Sequence, residues 1–239
     1  MDEYQSFSTA EQRLMARASG VKAPISGSME LLPLCNMNCK MCYVRLSPEE
    51  MKNQGTLRSW EQWLEVGRQM QQAGVLFLLL TGGEPFLHPE FDRILSGMLD
   101  MGLQVSINTN GTLIDEKGAA FLNTHRPTRI NLTLYGASRE TYGRLCGHAD
   151  AYDRVLEAVG LLKEFGIPLK FNASITPDNV DDLPGMIAFA KKHDCPIQVA
   201  TYMFPPLRRD SSLVGQNERM TPEEAANARA MADLLQNEP

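Results

Sequence analysis

The chain has 239 residues, 43% of them hydrophobic and 22% charged, with a formal net charge of -6. That is enough apolar material for one domain of α/β-barrel size, while the acidic balance argues against a nucleic-acid partner, which needs a clustered basic surface. The start, Met1-Asp2-Glu3-Tyr4, has no apolar run behind it, and the longest such run, Val75 to Leu80, is far short of the roughly 20 residues of a membrane span. No secretory signal and no membrane partner are expected, and the chain reads as cytoplasmic. Three of the five cysteines fall within eight positions, which is no disulfide framework and suits a reducing compartment.

In chain order, residues 1–27 read as a small helical extension and 28–239 as one run of six βα units. The predicted strands are Met29 to Leu34, Leu76 to Thr81, Gln104 to Thr109, Arg129 to Tyr135, Pro168 to Ile175 and Pro196 to Met203. They read as mostly apolar, as expected of strands with helices over one face and a packed interior on the other. Ser59 with Gln62, and Thr221-Pro222 with Glu224, predict capping boxes at helix starts. Gly74, Gly102 and Gly166 mark helix ends, and the pair Arg208-Arg209 reads as a solvated loop. Crossovers of this length are right-handed and parallel, so the fold class expected is α/β, a partial six-stranded barrel.

The run Cys35-Asn36-Met37-Asn38-Cys39-Lys40-Met41-Cys42 follows the first predicted strand, at the end where parallel barrels build active sites. Three thiolates are one fewer than a [4Fe–4S] cube normally takes, which leaves one iron open. The alternative is a zinc site completed by Cys146, Cys195 or a histidine; the iron–sulfur reading is favoured because zinc cysteines usually pair two residues apart in separate knuckles.

After the second strand comes Thr81-Gly82-Gly83-Glu84-Pro85. Adjacent glycines allow positive φ and a close backbone approach to a ligand, Glu84 can help to hold an ammonium group, and Pro85 stiffens the exit. By themselves these residues also fit an ordinary tight turn.

With both motifs in this order on successive strand ends, the chain resembles the radical S-adenosylmethionine (radical SAM) enzymes over about Met29 to Asn237. That resemblance implies that Cys35, Cys39 and Cys42 hold three irons of a [4Fe–4S] cluster, that S-adenosylmethionine chelates the fourth, and that Gly82, Gly83, Glu84 and Pro85 line its methionine amino group. Met41 stands where relatives place an aromatic residue against the adenine, and Tyr43 can share that contact. Asn108 and Asn110, in Asn108-Thr109-Asn110-Gly111, match a cofactor-facing turn, with a plain turn as the alternative. Thr133 matches a serine that donates to the methionine carboxylate or ribose, with strand propensity as the alternative. Ser174, Asn172, Tyr202 and Met203 face either cofactor or core. Arg144 can reach a carboxylate or lie on a helix surface, Cys146 and Cys195 read as small buried residues, and His88 as a cap of the next helix.

The implied chemistry is reductive cleavage of S-adenosylmethionine to a 5′-deoxyadenosyl radical that abstracts hydrogen from a substrate, with a flavodoxin or ferredoxin as reductant. The wording around Thr201-Tyr202-Met203-Phe204-Pro205-Pro206 is similar to the peptide-modifying SPASM branch, yet no cysteine follows Cys195. A missing C-terminal domain and a peptide substrate are therefore expected. The alternatives are maturation of a haem- or quinone-type precursor and a non-catalytic iron–sulfur scaffold.

Overall fold

Along the central strands polar and apolar side chains alternate, and the architecture follows from which set turns inward. The computed structural model describes residues 9–203 and 219–237; Arg208-Arg209 and Phe204-Pro205-Pro206 lie outside them. The strands are β1 (Ser26–Glu30), β2 (Phe77–Thr81), β3 (Gln104–Thr109), β4 (Arg129–Leu134), β5 (Leu169–Ser174) and β6 (Ile197–Ala200). All neighbours are parallel, and the spatial order is the chain order, β1-β2-β3-β4-β5-β6. Such an order curls one way without a reversal, as in a (β/α) barrel, and this one is a partial barrel of six strands.

Helix α1 (Thr9–Gly20) precedes β1. Helices α2 (Pro48–Gln54) and α3 (Trp60–Ala73) connect β1 to β2, and α4 (Phe91–Asp100) connects β2 to β3. Then come α5 (Glu116–Thr124), the pair α6 (Arg139–Cys146) and α7 (Ala151–Glu164), α8 (Leu183–Lys192) and α9 (Pro222–Asn237). The expected capping boxes form: Ser59 pairs with Gln62, and Thr221 exchanges bonds with Glu224 at 2.7 and 3.2 Å.

Leu78, Leu80, Val105, Ile107, Ile130, Leu132 and Phe171 face outward and are buried with Ile94, Leu95 and Met98 of α4, Leu122 of α5, Val155, Val159 and Leu162 of α7, and Met186 of α8. Each such side chain is worth about 2 kcal/mol of burial, so this outer shell holds the fold together. The inner face differs from expectation. It is not a packed apolar interior: Ser106, Asn108, Arg129, Asn131, Lys170, Asn172 and Gln198 line open space there.

The first strand also differs from its expected range. It begins at Ser26 rather than Met29 and ends at Glu30, pairing Ser26 with Phe77 and Glu30 with Thr81. Ser26-Gly27-Ser28 has little β propensity, but its residues border the polar inner space, where long apolar side chains are not required. Leu31 to Leu34 leave the sheet and run beside the turn after β2, with Leu31 N donating to Thr81 O at 2.9 Å.

Candidate functional site

Beyond the carboxyl ends of all six strands lies a cavity of about 320 Å³, within the size range of small-molecule sites. The loop after β1 contributes Cys35, Met37, Cys39, Met41, Cys42, Tyr43 and Val44. Thr81, Gly82 and Gly83 come from the end of β2, Asn108, Thr109 and Asn110 from β3, and Thr133 and Tyr135 from β4. β5 supplies Asn172 and Ser174, and β6 supplies Ala200, Tyr202 and Met203. Every residue singled out for the site is therefore on this cavity except Glu84 and Pro85.

The two adjacent glycines are required by close packing of two backbones. A Cβ on Gly82 would lie 2.6 Å from Leu32 O, and one on Gly83 only 2.1 Å from Leu34 O. Gly83 N donates to Leu32 O at 2.7 Å and Glu84 N to Leu34 O at 2.8 Å. The turn after β2 is thus bolted to the segment that leads into the cysteine loop, and it shows the cavity bare backbone.

Glu84 is fully buried and turns to the neighbouring strand end. Its carboxyl accepts from Thr109 Oγ1 and Asn110 N, both at 2.8 Å, and from Phe86 N at 3.2 Å. Burial pushes its pKa up to about 7 against the opposing pull of these donors. Its visible work is to tie the turn after β2 to the turn after β3.

That second turn reaches the cysteines. Asn110 accepts through Oδ1 from Thr112 N (2.9 Å) and Thr112 Oγ1 (2.6 Å), which orients its amide. Its Nδ2 donates to Asn36 Oδ1 at 2.9 Å and to Cys35 Sγ at 3.7 Å. Cys35 Sγ also accepts from Met37 N at 3.4 Å, and Cys42 Sγ from Arg45 N at 3.3 Å. Donors aimed at sulfur suit thiolates that carry charge in a cluster. Burial pushes the Cys35 thiol up to about 12; bound iron acts in the opposite sense, since a cation favours the thiolate.

The other side of the loop rests on α6. The last carbonyls of a helix lack intrahelical partners, and here Cys146 O accepts from Asn38 N at 3.1 Å and Leu145 O from Lys40 N at 3.0 Å. Cys146 is fully buried, and its thiol hydrogen-bonds Cys39, which raises its pKa. It is more than the small apolar residue expected from sequence. Lys40 Nζ pairs with Asp178 Oδ2 at 2.7 Å, and Arg144 donates to Asp178 O at 2.6 Å, so the loop, α6 and the segment after β5 are joined.

A zinc site needs four donors converging on one ion. Among the described residues no three His, Cys, Asp or Glu side chains gather in that way, and Cys195 Sγ instead meets His193 O at 3.3 Å. Cys35, Cys39 and Cys42 share the wall of one cavity, whereas Cys195, offered as a fourth zinc ligand, does not line it.

At the mouth, Tyr43 and Tyr202 are exposed, with Arg219 stacked on Tyr202 at 5.2 Å and donating to Met203 O at 3.0 Å. His88 lies beside the site's supports, accepting from Glu90 N at 3.2 Å just before α4. Sequence reasoning passed over Met37, Thr81, Thr109 and Tyr135 on the cavity wall and the Asn36–Asn110–Thr112 network behind it. Tyr135 and Thr109 sit at predicted strand ends, a position that could have singled them out.

A family model described as the Radical SAM superfamily matches residues 29–190. The chain is 28% identical over 173 residues to the PqqA peptide cyclase of Granulibacter bethesdensis, covering 72% of this chain and 46% of that protein. It is 25% identical over 190 residues to the AdoMet-dependent heme synthase of Methanosarcina barkeri, covering 80% and 54%. Streptococcus suis SuiB superposes with a TM-score of 0.73 at 18% identity, over 95% of this chain and 52% of its own. The chain thus spans about half the length of the curated relatives it matches.

Proposed function

This chain belongs to the radical SAM superfamily, and we propose that it is the core of an enzyme that binds a [4Fe–4S] cluster and S-adenosylmethionine and abstracts hydrogen from a peptide. The observation that carries the reading is the meeting of Cys35, Cys39 and Cys42 with the bare backbone of Gly82 and Gly83 on one cavity at the strand ends. When bound, the cluster and S-adenosylmethionine would together supply a 5′-deoxyadenosyl radical and methionine at the expense of one electron from the reductant, and the hard chemistry would be theirs.

The protein's own part is to hold and to exclude. Cys35, Cys39 and Cys42 hold three irons, and the α6 carbonyls and the Asn110 amide fix the loop that carries them. Gly82 and Gly83 offer main-chain groups to the ammonium end of S-adenosylmethionine, while Glu84 supports that turn from behind through Thr109 and Asn110. Thr133, Asn108 and Ser174 present polar groups to its carboxylate and ribose, and Met41 and Tyr43 give its adenine an apolar wall. Met203, which is buried, closes the wall beside β6, while Tyr202 stands exposed at the mouth.

A peptide substrate is supported by the relatives: one is a peptide cyclase by name, and SuiB has been solved bound to its precursor peptide SuiA. The heme synthase match, which covers more of this chain, favours a tetrapyrrole precursor as the second reading. A flavodoxin or ferredoxin is the proposed reductant, and further sequence like that of the longer relatives the proposed partner of the barrel.

The test is anaerobic loading with iron and sulfide, followed by reduction in the presence of S-adenosylmethionine. Formation of 5′-deoxyadenosine by the loaded protein, and its loss with Cys35→Ala, Cys39→Ala or Cys42→Ala along with the iron's visible absorption, is expected. Fully loaded protein that makes none would overturn the reading.

A further inference from the structure

The ends of β2 and β3 are tied by the carboxyl of Glu84, which accepts from Thr109 and Asn110, and the ends of β4 and β5 carry a second tie of opposite polarity. The last registered pair of these two strands is Leu134 with Ala173, and Tyr135 and Ser174 are the next residues along. A carbonyl past the end of a ladder takes its donor from outside the sheet. Asn179, from the segment that follows β5, supplies both donors: its Nδ2 donates to Tyr135 O at 2.9 Å and to Ser174 O at 3.0 Å.

The amide is held so that only this orientation works. Its Oδ1 accepts from Thr176 N at 2.8 Å and from Thr176 Oγ1 at 3.4 Å, and Asp178 N donates to Thr176 Oγ1 at 3.3 Å. Turned about, the NH2 group would face the Thr176 N–H and the oxygen would face two carbonyls. Asn179 is 1% exposed and Thr176 0%, so a lost partner here is not replaced from solvent. One residue earlier, Asp178 holds Lys40 of the cysteine loop at 2.7 Å. The segment thus grips two strand ends and the loop, although Asn179 itself does not line the cluster-side cavity.

The residues it holds do line that cavity: Thr133 and Tyr135 at the end of β4, Asn172 and Ser174 at the end of β5. We propose that Asn179 is a positioning residue for S-adenosylmethionine, fixing the spacing of the two strand ends so that Thr133, Tyr135 and Ser174 stand ready for its ribose and carboxylate. Groups already held in place lose less freedom when a ligand binds. The cysteines have other supports, the α6 carbonyls and the Asn110 amide, so loss of this tie should weaken cofactor binding without loss of iron. The inference rests on the proposed function and adds to it a residue that acts on the cofactor through others.

The experiment uses the iron-loaded wild-type protein and three variants, Asn179→Asp, Asn179→Ser and Asp182→Ala. Asn179→Asp keeps the shape and the acceptor for Thr176 N but turns oxygen toward both carbonyls, and Asn179→Ser withdraws the two donors without adding charge. Asp182→Ala is the control: Asp182 Oδ2 accepts from Ala137 N at 2.7 Å, which joins the same segment to the chain after β4 without touching Tyr135 O or Ser174 O. In equilibrium dialysis with labelled S-adenosylmethionine, each Asn179 variant should bind about tenfold more weakly or worse, as expected when buried acceptors lose their donors. Iron per chain and visible absorption should stay as in the wild type. Asp182→Ala should lose stability in denaturant yet bind S-adenosylmethionine nearly as the wild type does.

Unchanged affinity in both Asn179 variants would overturn the proposal. An equal loss of affinity in Asp182→Ala would do the same, by making the effect one of general stability, and so would loss of iron from both Asn179 variants, which would tie the residue to the whole fold rather than to the cofactor. Where Asn179→Asp alone fails to load, Asn179→Ser decides. Wild-type loaded protein that binds no S-adenosylmethionine would sink the proposed function and the role of Asn179 together, whereas any of the other adverse outcomes, in protein that binds it, leaves that function standing.

Discussion

The amide of Asn110 is held so that one of its N–H groups points at Cys35 Sγ, and donors to cluster sulfurs stabilise the more negative, reduced state. Asn110→Ala should therefore retain the cluster yet shift its midpoint potential downward in a redox titration followed by electron paramagnetic resonance. An unchanged potential would mean that the contact does not act on the cluster. Glu84 offers a second residue-level test through linkage. Its pKa of about 7 when folded stands above the ordinary carboxylate value, so the folded state binds the proton more tightly than the unfolded chain does. The associated stability is present below about pH 4.5 and is lost as pH rises through 7, on the order of 3 kcal/mol for this fully buried group. Relative to Glu84→Gln, the wild-type protein should lose that amount between pH 4.5 and 8 in denaturant titrations; parallel curves would show that Glu84 does not titrate there.

At the scale of elements, the same glycine chemistry has two different uses. Gly102 ends α4 with φ of 79° and open space around it, so Gly102→Ala should cost about 1 kcal/mol in denaturation and leave iron retention untouched. Gly83→Ala puts a methyl group into Leu34 O, which pushes the cysteine loop off the turn after β2; iron content per chain should fall sharply. Equal iron in the two variants would show that the two backbones can part without harm. The cysteine spacing, the Gly-Gly turn and four strand ranges were readable because each is a local pattern. What the glycines approach was not, since Leu32 and Leu34 lie some fifty residues away in sequence. The start of β1 was hidden because Ser26 and Ser28 serve a polar interior. The polar inner face was in fact written in the chain, as Gln104, Ser106 and Asn108, as Arg129 and Asn131, and as Lys170, Asn172 and Ser174, the members of each set spaced by two. Reading those strands as uniformly apolar concealed it.

For the molecule as a whole, the partial barrel sets a gradient of stability from its middle to its rims. β3 and β4 pair on both sides and carry fully buried outward side chains, Ile107, Ile130 and Leu132 among them. β1 and β6 pair on one side only within the described sheet, and β1 alternates exposed and half-buried residues over Ser26, Gly27 and Ser28. β6 has some cover, because α9 packs against α8 and Arg229 reaches Val199 O at 3.5 Å. Local opening begins where few buried contacts oppose it. In hydrogen exchange followed by mass spectrometry, the segment Ser26–Glu30 should therefore exchange at least about tenfold faster than Arg129–Leu134, with Ile197–Ala200 between them. The ordering bears on the site, because the polar inner space and the cluster-side cavity share a wall made by β3, β5 and β6, and β6 is one of the rims. Protection of β1 equal to that of β4 would mean that its free edge is paired in solution. Light scattering on the same sample would then separate a second copy of the chain from a contact within one molecule.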